Sequence, residues 1–175
     1  MGTLDNRVAI VTGGAQGIGG ASARKLAADG ARVLIADVDM DAAAENAERI
    51  RSAGGVAEML EVDITQPAQI SGMIERAVEL WGRLDILVNN AWSRKEQDGS
   101  ALTLTEAAWD HAMSLVLKSV FLGAKYAAPH MKKQGGGAIV SISSAHGLMV
   151  AQGKMAYEVN KAGVIALTRQ MATDL

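Results

Sequence analysis

A chain of 175 residues with 49% hydrophobic and 21% charged content has the length and apolar material for one domain with a sizeable core, and neither a disordered tail nor a fibre fits it. Its formal net charge is -2 with both signs scattered, which leaves no electrostatic footprint for nucleic acid or an anionic membrane. Cysteine is absent, which excludes disulfides, thiolate chemistry and Cys-based metal sites. Residues 1–6 lack a signal-peptide pattern, and no apolar run approaches the roughly 20 residues of a membrane span, so a cytoplasmic protein is expected.

The first element is a strand over Arg7 to Thr12, whose Val8-Ala9-Ile10-Val11 run suits burial on both faces. It breaks into a glycine-rich turn, followed by a helix over Ala21 to Asp29 and a second strand over Arg32 to Asp37. Such a strand, helix, strand unit makes the two strands parallel with a right-handed crossover. A helix over Asp39 to Ala53 and a short strand over Val56 to Asp63 come next. Thr65 or Gln66 caps a helix with Pro67 at its first position, and Gly82 stops it after Trp81. A fourth strand is expected over Leu84 to Asn89, and an irregular loop from Asn90 to Thr103. A long helix follows from Thr105 to Lys133, bent or broken near Ala128-Pro129. The fifth strand is Ala138 to Ile142, and a last helix starts near Gly153 or Met155 and runs to Leu175. Strands alternating with helices imply an α/β fold, a doubly wound parallel sheet in a single domain spanning residues 1–175.

Gly13, Gly17 and Gly19 lie between the first strand and its helix, where free N–H groups and the helix dipole favour an anion such as a pyrophosphate. Asp37 ends the second strand roughly 20 residues on, where a carboxylate accepts hydrogen bonds from an adenosine ribose and repels a 2'-phosphate. Gln16, Gly20 and Val38 supply no basic partner for that phosphate, so NAD is favoured over NADP. Near the other end of the chain, Tyr157 and Lys161 stand at i and i+4 of the last helix, whose apolar spacing is set by Ala156, Val159, Val164 and Leu167. An ammonium roughly 4 Å from a phenolate is worth about 4 kcal/mol at an effective dielectric near 20, enough to bring a phenol pKa from about 10 toward about 7. Such a tyrosine exchanges protons at neutral pH.

Thr12-Gly13-Gly14-Ala15-Gln16-Gly17-Ile18-Gly19, Asp63, Asn89-Asn90-Ala91, Ser144 and the pair Tyr157 and Lys161 together resemble the short-chain dehydrogenase/reductase family, in order and spacing, over essentially the whole chain. The resemblance implies a Rossmann-type sheet of strand order 3-2-1-4-5. It also implies a cofactor site drawn from Gly13, Gln16, Gly17, Ile18, Gly19, Asp37, Asp63, Ile64, Asn90, Ala91, Tyr157 and Lys161. Asp63 and Ile64 would lie near the adenine, and Asn89 to Ala91 would line the cleft. By the same resemblance Ser144 hydrogen-bonds the reacting oxygen and Tyr157 is the acid/base. Lys161 would both lower the Tyr157 pKa and hold the nicotinamide ribose. The implied reaction is hydride transfer between NAD(H) and a secondary alcohol or ketone, with no metal and a homo-oligomer as the working form.

Three features depart from the family pattern. Val116 stands where the family has an asparagine in the long helix, and Trp92 where Asn-Asn-Ala continues with glycine. The family chain also continues past the last helix into another strand, a substrate-covering segment and a final strand, so this sequence reads as C-terminally incomplete, with Ala138 to Ile142 an exposed sheet edge. A nucleotide-binding or interaction protein with little catalysis is therefore the alternative function. His111, His130 and His146 show no ligand spacing, His146 reads as an ordinary loop residue, and Glu158 points away from Tyr157.

Overall fold

The computed structural model describes residues 2–93 and 97–175. Five parallel strands form one sheet in the order β3-β2-β1-β4-β5: β1 (Val8–Thr12), β2 (Arg32–Asp37), β3 (Val56–Glu61), β4 (Ile86–Asn89) and β5 (Ala138–Ser141). The register sets Thr12 beside Ala36, Val11 beside Val88 and Asn89 beside Ser141, so the strands finish along one edge. Strand order reverses between β1 and β4, and the loops leaving their carboxyl ends diverge there, which opens the crevice that doubly wound folds use for ligands.

Residues of β1 alternate between two cores, as a pleated strand buried on both faces requires. Val8 and Ile10 pack with Ile70 and Ile74 of α3 (Pro67–Trp81), Val120 of α5 (Ser119–Lys133) and Val164 of α6 (Met155–Asp174). Ala9 and Val11 pack with Ala23 and Ala27 of α1 (Gly17–Ala28) and with Ala43 and Ala47 of α2 (Met40–Ser52). The alanines let α1 and α2 lie close to the sheet. In α6, Ala156 and Val164 are buried as the spacing predicts, whereas Val159 faces out.

The element boundaries differ from the sequence reading where backbone chemistry overrides pattern. Helix α1 begins at Gly17 rather than Ala21, because the glycine turn itself supplies the first helical turn. Gln66 takes the N-cap position of α3 without a side-chain bond, and the Thr65 hydroxyl donates instead to Asp63 Oδ1 at 2.7 Å. The long helix is not broken at Pro129, where α5 continues unbroken. Its irregularity lies upstream: α4 (Glu106–Ala112) passes into a π-helical stretch, Met113–Lys118, before α5 begins. There Ser119 Oγ donates to the Leu115 and Val116 carbonyls at 2.7 and 3.1 Å, taking up acceptors that the wider turn leaves off the α ladder.

The opposite edge of the sheet is held by Asp85, which is 4% exposed. Its carboxylate accepts from Val8 N at 2.9 Å, from Arg7 Nη1 at 2.8 Å and from Arg83 Nε and Nη2 at 2.7 and 2.6 Å. Burial works against the charge, but these hydrogen bonds outweigh it and hold the carboxyl at about 2. A depressed folded-state pKa contributes stability above the unfolded value near 3.9, lost as pH falls toward 2. Asp85→Asn should therefore cost about 2 kcal/mol in urea unfolding at pH 7, with the difference from the parent shrinking between about pH 4 and pH 2.

Candidate functional site

At the carboxyl edge the chain leaves β1 through Gly13 at φ 62° and Gly17 at φ 59°, left-handed values that favour glycine. A Cβ on Gly19 would run into the Gly13 carbonyl and the Asn90 amide, so this turn closes only without side chains. Among the described residues no side chain caps α1 and its first turn carries no acid, which leaves its first N–H groups without a side-chain acceptor. Gln16 and Ile18 are exposed beside them. A donor-only, positively polarised turn with an apolar flank fits the pyrophosphate of a dinucleotide.

Asp37 lies at the end of β2 as expected. Its Oδ2 accepts from Ala15 N at 2.9 Å and its Oδ1 from Asp39 N at 3.1 Å, so it tethers the glycine turn while keeping lone pairs for a ligand. Asn46 supports the turn from α2, donating to the Gly14 carbonyl at 2.8 Å. Asp63 holds Thr65 through Oδ1. Burial raises its pKa, but hydrogen bonds from Thr65 and Gln66 and the nearby His111 bring it below the ordinary aspartate value. The Ile64 side chain is buried in the core with Ile70 and Ile74. Asn90 is likewise engaged: its Nδ2 donates to the Thr12 and Gly13 carbonyls at 2.9 and 3.2 Å. Ala91 N donates to Thr12 Oγ1 at 3.2 Å. The Asn90 side chain therefore shapes the glycine turn, and with its N–H bonded to Thr12 Oγ1 at 3.0 Å its carbonyl is left for any ligand contact.

Tyr157 sits on α6 at the wall of a cavity of about 280 Å³. Trp92 meets it edge-on with ring centroids 5.3 Å apart, and His146 stands 5.9 Å away on a tilted ring. Lys161 lies with Nζ 5.9 Å from the Tyr157 ring centre, as the i, i+4 spacing predicts. The ammonium donates to the Ile142 carbonyl at 2.8 Å and is 4% exposed, and burial pushes its pKa below the usual lysine value. Ser143 and Ser144 divide their work: Ser143 Oγ donates to the Lys161 carbonyl at 2.8 Å, whereas Ser144 Oγ accepts from His146 N at 3.1 Å in a short 3-10 turn over Ala145–Gly147. Neither Ser144 nor Lys161 is a wall of the cavity. Trp92, Leu115 and Val116 make its apolar side, with the Trp92 ring set edge-on to Tyr157.

Two features of this site escape sequence reading. Asp98, from the loop after β4, accepts from Ala156 N at 3.0 Å and Tyr157 N at 3.2 Å, and so caps the start of α6. Glu158, buried at 8% exposure, accepts from Ala151 N at 2.6 Å and pairs with His146 Nδ1 at 2.8 Å, so His146 is no ordinary loop residue. Both links join segments distant in sequence through single side chains, and no local pattern marks them.

The model of the short chain dehydrogenase family matches residues 7–175, and the chain belongs to that family. An uncharacterized oxidoreductase of Thermotoga maritima is 39% identical over 171 residues, covering 98% of this chain and 66% of its own. The cyclopentanol dehydrogenase of a Comamonas species is 35% identical over 178 residues, covering 100% of this chain and 69% of its own. A crystal structure from Burkholderia xenovorans, of a protein assigned to the short-chain dehydrogenase/reductases, superposes with a TM-score of 0.92 at 36% identity, over 99% of this chain and 71% of that one. The chain thus spans about two thirds of the length of the curated relatives it matches.

Removing the cap at α6 should be measurable apart from any activity. Asp98→Ala leaves the two N–H groups of α6 and that of Gly99 without their acceptor and should lower unfolding free energy by about 1–2 kcal/mol, read by urea titration, with Asp98→Asn recovering part of the loss.

Proposed function

We propose that the protein is an NAD(H)-dependent oxidoreductase that interconverts a secondary alcohol and a ketone, with Tyr157 as the acid/base. The observation that carries this reading is Tyr157 on the wall of a largely apolar cavity, with Lys161 beside its ring, at the same sheet edge as the uncapped glycine turn. The Comamonas relative is named for cyclopentanol, a secondary alcohol, which supports the substrate class.

Bound nicotinamide would supply the hydride acceptor or donor. In the oxidising direction the Tyr157 oxygen takes the hydroxyl proton, and in the reducing direction it returns it to the carbonyl oxygen. The Lys161 ammonium offsets the charge left on that oxygen. Ser144 Oγ accepts from a backbone N–H, so its own proton remains free to donate to the reacting oxygen and stabilise partial negative charge there. Gly13, Gln16, Gly17, Ile18 and Gly19 would hold the pyrophosphate, Asp63 with the Ile64 backbone the adenine end, the Asn90 and Ala91 backbone the middle of the cleft, and Lys161 the nicotinamide ribose. Asp37, with no basic side chain at Gln16, Gly20 or Val38, selects NAD. Phe121 on α5 and Val159 on α6 are apolar and solvent-facing, and we extend the reading to a homo-oligomer joined there. Among the described residues no helix is long and apolar enough to cross a membrane.

Val116 favours a second reading. Its buried side chain adds only hydrocarbon beside Tyr157, and a nucleotide-binding protein with little catalysis would show saturable NADH fluorescence without turnover.

Replacing Tyr157 with Phe should reduce turnover of cyclopentanol and related alcohols by at least about a hundredfold with NADH affinity retained; undiminished turnover overturns the catalytic assignment. Asp37→Ala should weaken NADH binding about tenfold and strengthen NADPH binding, measured by calorimetry on protein whose melting temperature is checked alongside, because Ala15 N loses its acceptor.

A further inference from the structure

The polar groups around the Tyr157 cavity are unbalanced in sign. Asp98 is the carboxylate on its described walls, and its oxygens already accept from Gly99 N at 2.8 Å and from the two N–H groups of α6. Lys154 stands on the same wall, exposed and at the N-cap position of α6, where a cation opposes the helix dipole and makes no side-chain cap bond. That placement does nothing for the helix. His146, also on the wall, has its Nδ1 bonded to Glu158. A carboxylate only accepts, so the Nδ1 proton is fixed by Glu158 and Nε2 is the nitrogen left for a ligand. The groups still able to bind a ligand include an ammonium, an imidazole edge and the Tyr157 phenol, set against hydrocarbon from Trp92, Leu115 and Val116.

We propose that this cavity takes a small hydroxy acid or oxo acid, with its carboxylate held by Lys154 and His146, its carbon skeleton against Trp92 and Leu115, and its secondary oxygen at Tyr157. The oxygen end rests on the oxidoreductase reading, and the carboxylate end on the wall chemistry alone. An anion at Nε2 and Glu158 at Nδ1 place an acceptor on each side of the imidazole. Glu158 thereby becomes a positioning residue that turns His146 into an anion donor. The cavity volume lies at the small end of ligand pockets, which suits a short chain or a single ring.

The test is calorimetric titration with 4-oxopentanoate and with its methyl ester, which shares the reacting ketone and lacks the charge, both in saturating NAD+, where the ketone cannot be reduced, and without nucleotide. The acid should bind about tenfold more tightly than the ester. Lys154→Met, at an exposed position that leaves folding intact, should bring the ratio near one, and Glu158→Gln should lower it while keeping a neutral hydrogen bond to His146. Equal affinity for acid and ester, binding of neither, or a preference that survives Lys154→Met overturns the inference. Oxidation of NADH by the ester is read separately. Turnover without acid preference overturns the carboxylate site and leaves the oxidoreductase reading standing, and acid preference without turnover does the reverse.

Discussion

The Asn90 amide and the Thr12 hydroxyl form the clasp on which the site depends. Thr12 Oγ1 donates to the Val88 carbonyl at 3.3 Å and accepts from Asn90 N at 3.0 Å and Ala91 N at 3.2 Å, while Asn90 Nδ2 returns to the Thr12 and Gly13 carbonyls. These bonds lock the ends of β1 and β4 together where the strand order reverses. The glycine turn starts from one side of the clasp, and the loop bearing Trp92 and Asp98 starts from the other. The two halves of the cleft thus share a common origin, and their spacing is set by side chains that bond the backbone of both.

Carboxylates serve as long-range ties in this fold. Asp37 joins β2 to the glycine turn, Asp98 joins the loop after β4 to α6, Glu158 joins α6 to the 3-10 turn, and Asp85 gathers the other edge of the sheet. Each accepts from at least one backbone N–H, so the buried or half-buried charge is compensated by groups that would otherwise need partners themselves. Asp85 lies at the edge away from the cleft, and the other three border it. Stability and site geometry are in this way carried by the same kind of bond at opposite ends of the strands.

Much of this was legible in the residues. Buried β1, the glycine turn and the place of Asp37 at the end of β2 are readable because local rules govern them: a continuous apolar run, left-handed glycines and a fixed spacing to the next strand end. The pairing of Tyr157 with Lys161 was equally legible, since i and i+4 on a helix must be neighbours. The π-helical stretch around Val116 was not, because its apolar residues suit an ordinary helix and Pro129 drew the expected break to the wrong turn. The cap from Asp98 crosses 58 residues, and the His146–Glu158 pair depends on how the 3-10 turn folds back on α6, so neither leaves a periodic signal. The family resemblance names Asn90 and Ile64 as cofactor contacts, and their side chains bond within the clasp and pack in the core.

The Asp98 cap also ties the segment after β4 to the helix that carries Tyr157. The N–H groups of Ala156 and Tyr157 share one carboxylate, so both keep their acceptor only while Asp98 is bonded to α6. Hydrogen exchange at these two amides therefore reads how firmly Asp98 holds the start of α6.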